Sequence, residues 1–424
     1  MEMGESMDGT RSVNPVAPAA GTGGGSRWFL VGLGFLLNLC CGTVYAFSLF
    51  RKPLEEMWGI GATASGLPFT VFLAVFAGAM AVAGGVLDRW GPRRTAFVGS
   101  ALVGLGWILA GLSPNAGVLT LTYGLVAGTG VGFVYGCPIA VAARWFPDKR
   151  GLAVGLAVVG FGLSPLITAP IVSSLIAAVG PLQTFLYLGL AFTAILSALS
   201  IPLRFPPAGW SPPGGTAQVQ RNAPLAELPP QALFRTGTFY ALWGTFAIGC
   251  LSGLMAVGIA APYGREVAGV GAGLTAVGVS VFAVFNGLGR PLFGWLADRT
   301  TARHAGVLSF ALILLAAAAL GRWGQGNTAL YFVGFSVLWL NMGGWLAIAP
   351  TATAKFFGIK HYGRNYGIVY TAYGAGAILG MVLSGVLRDT TGTYLSVFPP
   401  VMGLAGAGLL VTLFGLRPPV RKET

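Results

Sequence analysis

The stretch Asn286-Gly287-Leu288-Gly289-Arg290-Pro291 sets one arginine in the middle of an apolar run reaching from about Leu274 to Leu296. Every other Lys or Arg falls near an end of an apolar run or in a polar connection. An arginine at the centre of a bilayer span is disfavoured by roughly 2.5–3.5 kcal/mol on insertion scales, so it is kept where it faces a bundle interior or a wet cavity with a partner. Its guanidinium is always charged and offers a planar fork of N–H donors that matches a carboxylate. The acidic residues are Glu2, Glu5, Asp8, Glu55, Glu56, Asp88, Asp148, Glu227, Glu266, Asp298, Asp389 and Glu423, and none lies deep in an apolar run. The missing neutraliser is therefore expected to be a carboxylate arriving from solution. The plainer alternative is a structural arginine satisfied by backbone carbonyls or an acidic side chain. Asn286 precedes Arg290 by four residues, so both project from one helical face. Its amide can orient the guanidinium or bond the ligand, and it cannot titrate.

Helix phase supplies the other candidates for the ligand's surroundings. Tyr370 and Tyr373 lie three apart on one face of the eleventh apolar run. Asn38 and Tyr45 are in the first run, Phe72, Leu73 and Phe76 in the second, Tyr135 in the fourth, and Asn341 and Trp345 in the tenth. A tyrosine brings one hydroxyl on a rigid apolar body, which suits a short hydroxy- or keto-acid. For any single aromatic, lipid contact or helix packing is the competing role. Gly155, Gly160, Gly162, Gly374, Gly376 and Gly380 are assigned to close helix packing. Catalysis is poorly served: His304 and His361 sit in separate connections, and Cys40, Cys41, Cys137 and Cys250 fall in apolar runs without metal-ligand or disulfide spacing. No enzyme activity, metal or cofactor is expected.

The elements that position these residues are membrane helices. Of 424 residues 55% are hydrophobic and only 9% charged, against about 25% charged in soluble domains. The mean hydropathy is +0.76. Spans of about 20 apolar residues are expected at roughly 28–50, 66–87, 95–113, 117–142, 151–179, 182–203, 237–261, 274–296, 305–321, 328–351, 366–387 and 396–416. A net charge of +13 would suit nucleic acid, but the positions of the charges reject that partner. With the N-terminus placed inside, 19 of the 25 basic residues fall in inside segments, which is the positive-inside bias. Both termini are thus expected in the cytoplasm, in a multi-pass protein of the cell inner (plasma) membrane. Residues 1–26 lack the basic and apolar regions of a signal peptide and are expected to be a disordered cytoplasmic tail. The expected organisation is a six-helix half over 27–203, a Pro/Gly-rich cytoplasmic linker over 204–236, a second half over 237–416, and a cytoplasmic tail over 417–424.

The halves read as repeats. Gly84 to Asp88-Arg89 recurs 210 residues later as Gly294 to Asp298-Arg299. Lys149-Arg150, followed by Gly160 and Gly162, recurs 214 residues later as Gly363-Arg364, followed by Gly374 and Gly376. Two such halves about a central site is the architecture of alternating-access carriers. Gly84-Gly85-Val86-Leu87-Asp88-Arg89-Trp90-Gly91-Pro92-Arg93-Arg94 resembles the signature loop between the second and third helices of the major facilitator superfamily. The resemblance implies an all-α fold of twelve transmembrane helices in two pseudo-symmetric halves. Asp88 and Asp298 are expected to cap helix ends and pair with basic residues across the cytoplasmic interface. Arg89, Arg93, Arg150, Arg299 and Arg364 complete that latch.

Three further stretches narrow the resemblance. Gly42-Thr43-Val44-Tyr45-Ala46-Phe47-Ser48, with Pro53-Leu54, resembles the first helix of oxalate/formate antiporter-type carriers. Arg144-Trp145-Phe146-Pro147-Asp148-Lys149-Arg150-Gly151 is similar to a loop shared by those carriers and the monocarboxylate porters, and Arg290 falls where both groups place a substrate-binding arginine. Oxalate carriers have Thr-Ala-Lys-Gly where this chain has Thr371-Ala372-Tyr373-Gly374. One cation suits one carboxylate, so a monocarboxylate of the lactate or pyruvate kind is expected. Animal-type monocarboxylate porters put an Asp one turn before the arginine and a lysine in the first helix; here stand Asn286, and only Asn38 and Tyr45 as larger polar groups. The resemblance implies secondary transport, with proton symport as the leading coupling and anion exchange as the alternative. A polytopic membrane enzyme or a non-transporting sensor is the reading from a different class.

Overall fold

The computed structural model describes residues 25–207, 210, 212 and 224–418. The expected tail over 1–26 lies almost wholly outside the described residues, as do 208–209, 211 and 213–223 of the linker and residues 419–424. The described residues form helices and connections, with no strand among them.

The first apolar run folds as α1 (Gly25–Cys41), a 3-10 segment (Gly42–Ala46) and α2 (Ser48–Trp58). The expected single span over 28–50 is thus interrupted. At Gly42 the backbone lies against the carbonyl of Phe161, so close that a Cβ would collide with it. The long α3 (Ala62–Gly111) contains two spans in one element. Gly91 breaks it with φ 78° and ψ 172°, a conformation open to glycine. Pro92 starts the second limb, where its missing N–H leaves no helical bond unmade. Among the described residues, the eleven apolar helices long enough to cross a bilayer therefore amount to twelve spans, since one of them runs over 48 residues through that break.

The rest of the first half is α4 (Ala116–Leu119), a π-helical stretch (Thr120–Ala127), α5 (Gly128–Trp145), α6 (Arg150–Val179) and α7 (Pro181–Ser200). The short α8 (Pro230–Leu233) precedes the second half: α9 (Gly237–Glu266), α10 (Ala272–Arg299), α11 (Ala302–Trp323), α12 (Thr328–Phe357), α13 (Tyr362–Thr391), a 3-10 segment (Tyr394–Val397) and α14 (Phe398–Gly415). Side chains of Asn115, Thr236, Thr301 and Asn327 cap α4, α9, α11 and α12 by accepting from N–H groups of the first turn.

Large apolar side chains such as Phe29, Val82, Leu315 and Phe414 stay exposed on the bundle's outside. In water that surface would be costly; in lipid it is solvated. The chain is a multi-pass membrane protein. The halves meet along two seams, α3 against α13 and α6 against α10. Glycine makes both seams close: a Cβ on Gly84 would strike the Gly363 backbone, and Gly151 and Gly294 face each other in the same way. Both contacts lie at the end of the bundle carrying Asp88 and Asp298, called here the basic face.

Candidate substrate site

Arg290 sits on α10 between the two halves and is fully buried. Glycines let three helices converge on it. A Cβ on Gly155 of α6 would meet the Arg290 carbonyl, one on Gly289 would meet the Leu340 carbonyl of α12, and one on Gly343 of α12 would meet the Asn286 carbonyl. The side chain crosses to the first half, where Nη1 donates to the Val158 carbonyl of α6. Nη2 donates to Asn286 Oδ1 at 3.1 Å, as the four-residue spacing anticipates. Asn286 Nδ2 donates onward to the Trp339 carbonyl at 3.4 Å. Arg290 Nε is buried without a hydrogen-bond partner.

Among the described residues no carboxylate pairs with Arg290. Ion pairs lie near helix ends: Asp148 with Arg27 at 2.8 Å, Asp88 with Arg144 at 3.2 Å, and Glu266 with Arg388 at 2.8 Å. The plainer role is partly present, because backbone carbonyl and amide contacts already orient the guanidinium. A guanidinium carries five N–H donors, and the two bonds seen leave the remainder for an anion.

Around the arginine lies an aromatic wall. The Phe161 ring centre is 5.9 Å from the guanidinium carbon, within reach of a cation–π contact. Tyr45 and Tyr135 meet Phe161 edge-on at 5.2 and 5.3 Å. Phe76 touches Phe161, Tyr135, Tyr370 and Tyr373 with ring centres 5.3–6.2 Å apart. Tyr370 and Tyr373 stack at 5.1 Å, and Tyr373 Oη is 2.9 Å from Tyr45 Oη across the halves. Tyr135 Oη is buried without a partner. The structure thus brings together Arg290, Asn286, Tyr373, Tyr370, Tyr45, Tyr135 and Phe76. Phe161 was missed by helix phase; its signal in the sequence is a bulky ring set between Gly160 and Gly162.

Other candidates are engaged differently. Asn38 Nδ2 donates to the carbonyls of Gly34 and Ala157 at 2.9 and 3.0 Å, tying α1 to α6. Trp345 is buried against Gly249 of α9 and Phe310 of α11, inside the second half. Asn341 Nδ2 donates to its own helix at the Val337 carbonyl, 2.7 Å away. Leu73 is buried in the core, and the Phe72 ring packs tilted against Tyr123, 5.0 Å between ring centres, in a separate aromatic cluster.

In the region of the expected latch, both aspartates cap helices of the opposite half. Asp88 accepts from the backbone N–H groups of Gly363 and Arg364 at 3.1 and 3.0 Å, capping α13 across the interface. Asp298 does the same for α6, accepting from Gly151 and Leu152 at 2.8 and 3.0 Å. Each aspartate thus meets helix backbone of the opposite half, with its N-terminal dipole; Asp88 also pairs with Arg144 of its own half, and Asp298 lines a crevice together with Arg150 of the first half. Arg89 and Arg93 are exposed, and neither is brought into the latch. Arg299 lies over the Trp295 ring at 5.7 Å. Arg150 is buried and donates to the Ala143 carbonyl at 3.3 Å. Glu227, just before α8, accepts from the Ile359 and Lys360 N–H groups at 3.0 and 2.9 Å, closing the same face.

Comparison with known proteins bears on the family and the fold. A family model described as Major Facilitator Superfamily matches residues 31–352 and, in a second match, 278–424. The oxalate:formate antiporter of Oxalobacter formigenes is 30% identical over 369 residues, covering 87% of this chain and 86% of that one. Monocarboxylate transporter 11 of Homo sapiens is 29% identical over 405 residues, covering 90% of this chain and 81% of the relative. Among solved structures, the E. coli fucose:proton symporter FucP in its outward conformation aligns with a TM-score of 0.67 at 14% identity, over 92% of this chain and 100% of that one. At that identity the likeness is one of fold.

Proposed function

The chain belongs to the Major Facilitator Superfamily, and from that premise we propose that it carries a small monocarboxylate across the membrane with Arg290 as the carboxylate's anchor. The observation that carries this reading is a fully buried arginine, oriented by Asn286 and the Val158 carbonyl, with a free Nε and no carboxylate partner among the described residues. A carboxylate of ordinary pKa is an anion at neutral pH, and its fork-to-fork pairing with a guanidinium is charge-assisted and directional. Binding neutralises the site and so lowers the cost of closing it away from water.

The single cation favours one carboxylate over two. Tyr373, where oxalate-type carriers bring a lysine, here bonds Tyr45 and offers hydroxyls only. Tyr135 Oη, buried and unsatisfied, suits the second oxygen of a lactate- or pyruvate-like acid. Proton symport is the coupling we favour, because one proton with one monoanion moves no net charge. Anion exchange is a second reading, supported by the relative named as an oxalate:formate antiporter and by the absence of an acidic side chain paired with Arg290 among the described residues. We place the basic face in the cytoplasm and the protein in the plasma membrane, on the positive-inside distribution.

Proteoliposomes separate the couplings. We expect an inward proton gradient to drive uphill L-lactate uptake in vesicles containing no substrate. Uptake that occurs only when the vesicles are preloaded with an anion establishes exchange and rejects symport.

A further inference from the structure

The stretch that joins α7 to α9 is tied down at both ends, and on different halves. Its beginning wraps the end of α5. Trp145 Nε1 donates to the Arg204 carbonyl at 2.8 Å, and the Arg144 guanidinium carbon lies 3.8 Å from the Phe205 ring centre. Its end runs beside the turn between α12 and α13. There the Leu225 and Leu228 N–H groups donate to the Lys355 and Phe357 carbonyls at 2.8 and 3.0 Å, which the last turn of α12 leaves without helical partners. Asn365 Nδ2 donates to the Leu228 carbonyl at 3.0 Å. The turn itself needs Gly358: its φ is 92°, a region open to glycine, and a Cβ there would strike the Glu227 carboxylate.

Glu227 accepts from two successive N–H groups, Oε1 from Ile359 at 3.0 Å and Oε2 from Lys360 at 2.9 Å. From the first half, Arg144 Nη2 donates to the Ile359 carbonyl and to Asp88 Oδ1, each at 3.2 Å. The Ile359 carbonyl and the Lys360 N–H belong to one peptide unit. That unit therefore bridges a cation of one half to a carboxylate docked on the other. Bonded at both ends, the peptide is polarised, and each bond strengthens the other. Glu227 is exposed, so salt screens its field at longer range, and its effect on Arg144 passes mainly through the shared peptide. Asp88 and Arg144 share a half, so their ion pair does not require the halves to meet. The bond from Arg144 to Ile359 does.

We propose that Arg144, the Ile359–Lys360 peptide and Glu227 form a charge lock through which the stretch joining the halves fastens the basic face shut. The bridge is complete only while the halves touch on this side, so Glu227 favours the closed face over the open one. The connection is then a working part of the closure as well as a tether. The lock is independent of what Arg290 binds, and it is read without substrate.

The test is a double-mutant cycle. A cysteine is placed at Ala352, buried near the basic face, in a background without the native cysteines, and its maleimide labelling rate is measured. We expect Glu227→Gln to raise that rate at least about fivefold when Arg144 is present, and less than about twofold in Arg144→Met, as loss of one charge-assisted bond coupled to Arg144 implies. Arg144→Gln, which keeps an N–H donor and drops the charge, is the second background if Arg144→Met does not fold. Equal rises in both backgrounds would mean that Glu227 merely stiffens its own turn. No rise in either would mean that the stretch does not bear on closure. Each of these results overturns the lock.

Discussion

At Arg290 the guanidinium nitrogens stand in different circumstances: one meets a helix carbonyl, one meets an amide oxygen, and Nε meets nothing. This division lets one residue be both fixed and available. The contacts to Val158 and Asn286 hold the plane of the fork, so little rotamer entropy is left to lose when an anion arrives. Glycine at residue 162 lets α6 come close to the Nε edge: a Cβ there would sit 3.2 Å from Nε and 2.7 Å from Asn286 Oδ1. Asn286 is the residue at which charge could most simply close the site. In Asn286→Asp the carboxylate would occupy the position now 3.1 Å from Nη2, giving Arg290 an internal counter-ion. We expect that variant to fold and to bind L-lactate at least about tenfold more weakly, since a charge-assisted contact of about 1.5–3 kcal/mol then competes with the ligand. Equilibrium binding to the purified protein checks this. Unchanged affinity would mean that the ligand's charge is not what Arg290 meets.

At the scale of helices, the two aspartates act through the ends of elements. Asp88 caps α13 and Asp298 caps α6, and each cap exists only while the two halves touch on the basic face. Asp298→Ala removes two charge-assisted bonds to the first turn of α6 while the glycine contact at Gly151 and Gly294 remains. We expect the closed basic face to lose at least about 1.5 kcal/mol, a tenfold or greater shift toward opening. The readout is the maleimide labelling rate of a cysteine placed at buried Ala352, in a background without the native cysteines. A rate equal to that of the parent would show that the caps do not hold the face shut.

Much of this level was legible in the sequence. The spans followed from hydropathy, and the α3 break falls between the expected spans 66–87 and 95–113, at Gly91-Pro92, where a positive φ and a missing N–H are local properties of those residue types. Atomic partners were less legible. Asp88 and Asp298 were expected to cap helix ends and pair with basic residues across the interface; the caps reach the backbone N–H groups of the opposite half because glycines at the seams bring the helices close. The 3-10 segment at Gly42–Ala46 and the π-helical stretch at Thr120–Ala127 also escaped notice. At Gly42 the cause is contact with α6, a partner more than a hundred residues away in the chain. Trp345 shows the same limit: helix phase placed it on an inward face, and its neighbours Gly249 and Phe310 make that face the interior of one half, not the centre of the molecule.

Over the whole molecule, the halves are joined by glycine seams and caps at the basic face, while an aromatic wall and one hydroxyl pair, Tyr45 with Tyr373, link them beside Arg290. At the basic face the seam contacts are backbone against backbone, as at Gly84 with Gly363 and Gly151 with Gly294, so that end can part with little side-chain unpacking. On the proposed carboxylate reading, an anion would fit this design through charge: an empty site leaves a buried cation, and a filled site would be neutral when the halves close around it. The sequence exposed that logic at once, since a lone arginine in an apolar run has no local explanation. The most direct measurement is equilibrium binding of L-lactate to purified wild-type protein and to Arg290→Ala. Truncating one partner of a buried, hydrogen-bonded charge pair costs about 2–5 kcal/mol, so affinity is expected to fall at least about thirtyfold. An Arg290→Ala protein that is folded and binds lactate as tightly as the wild type would contradict the carboxylate site.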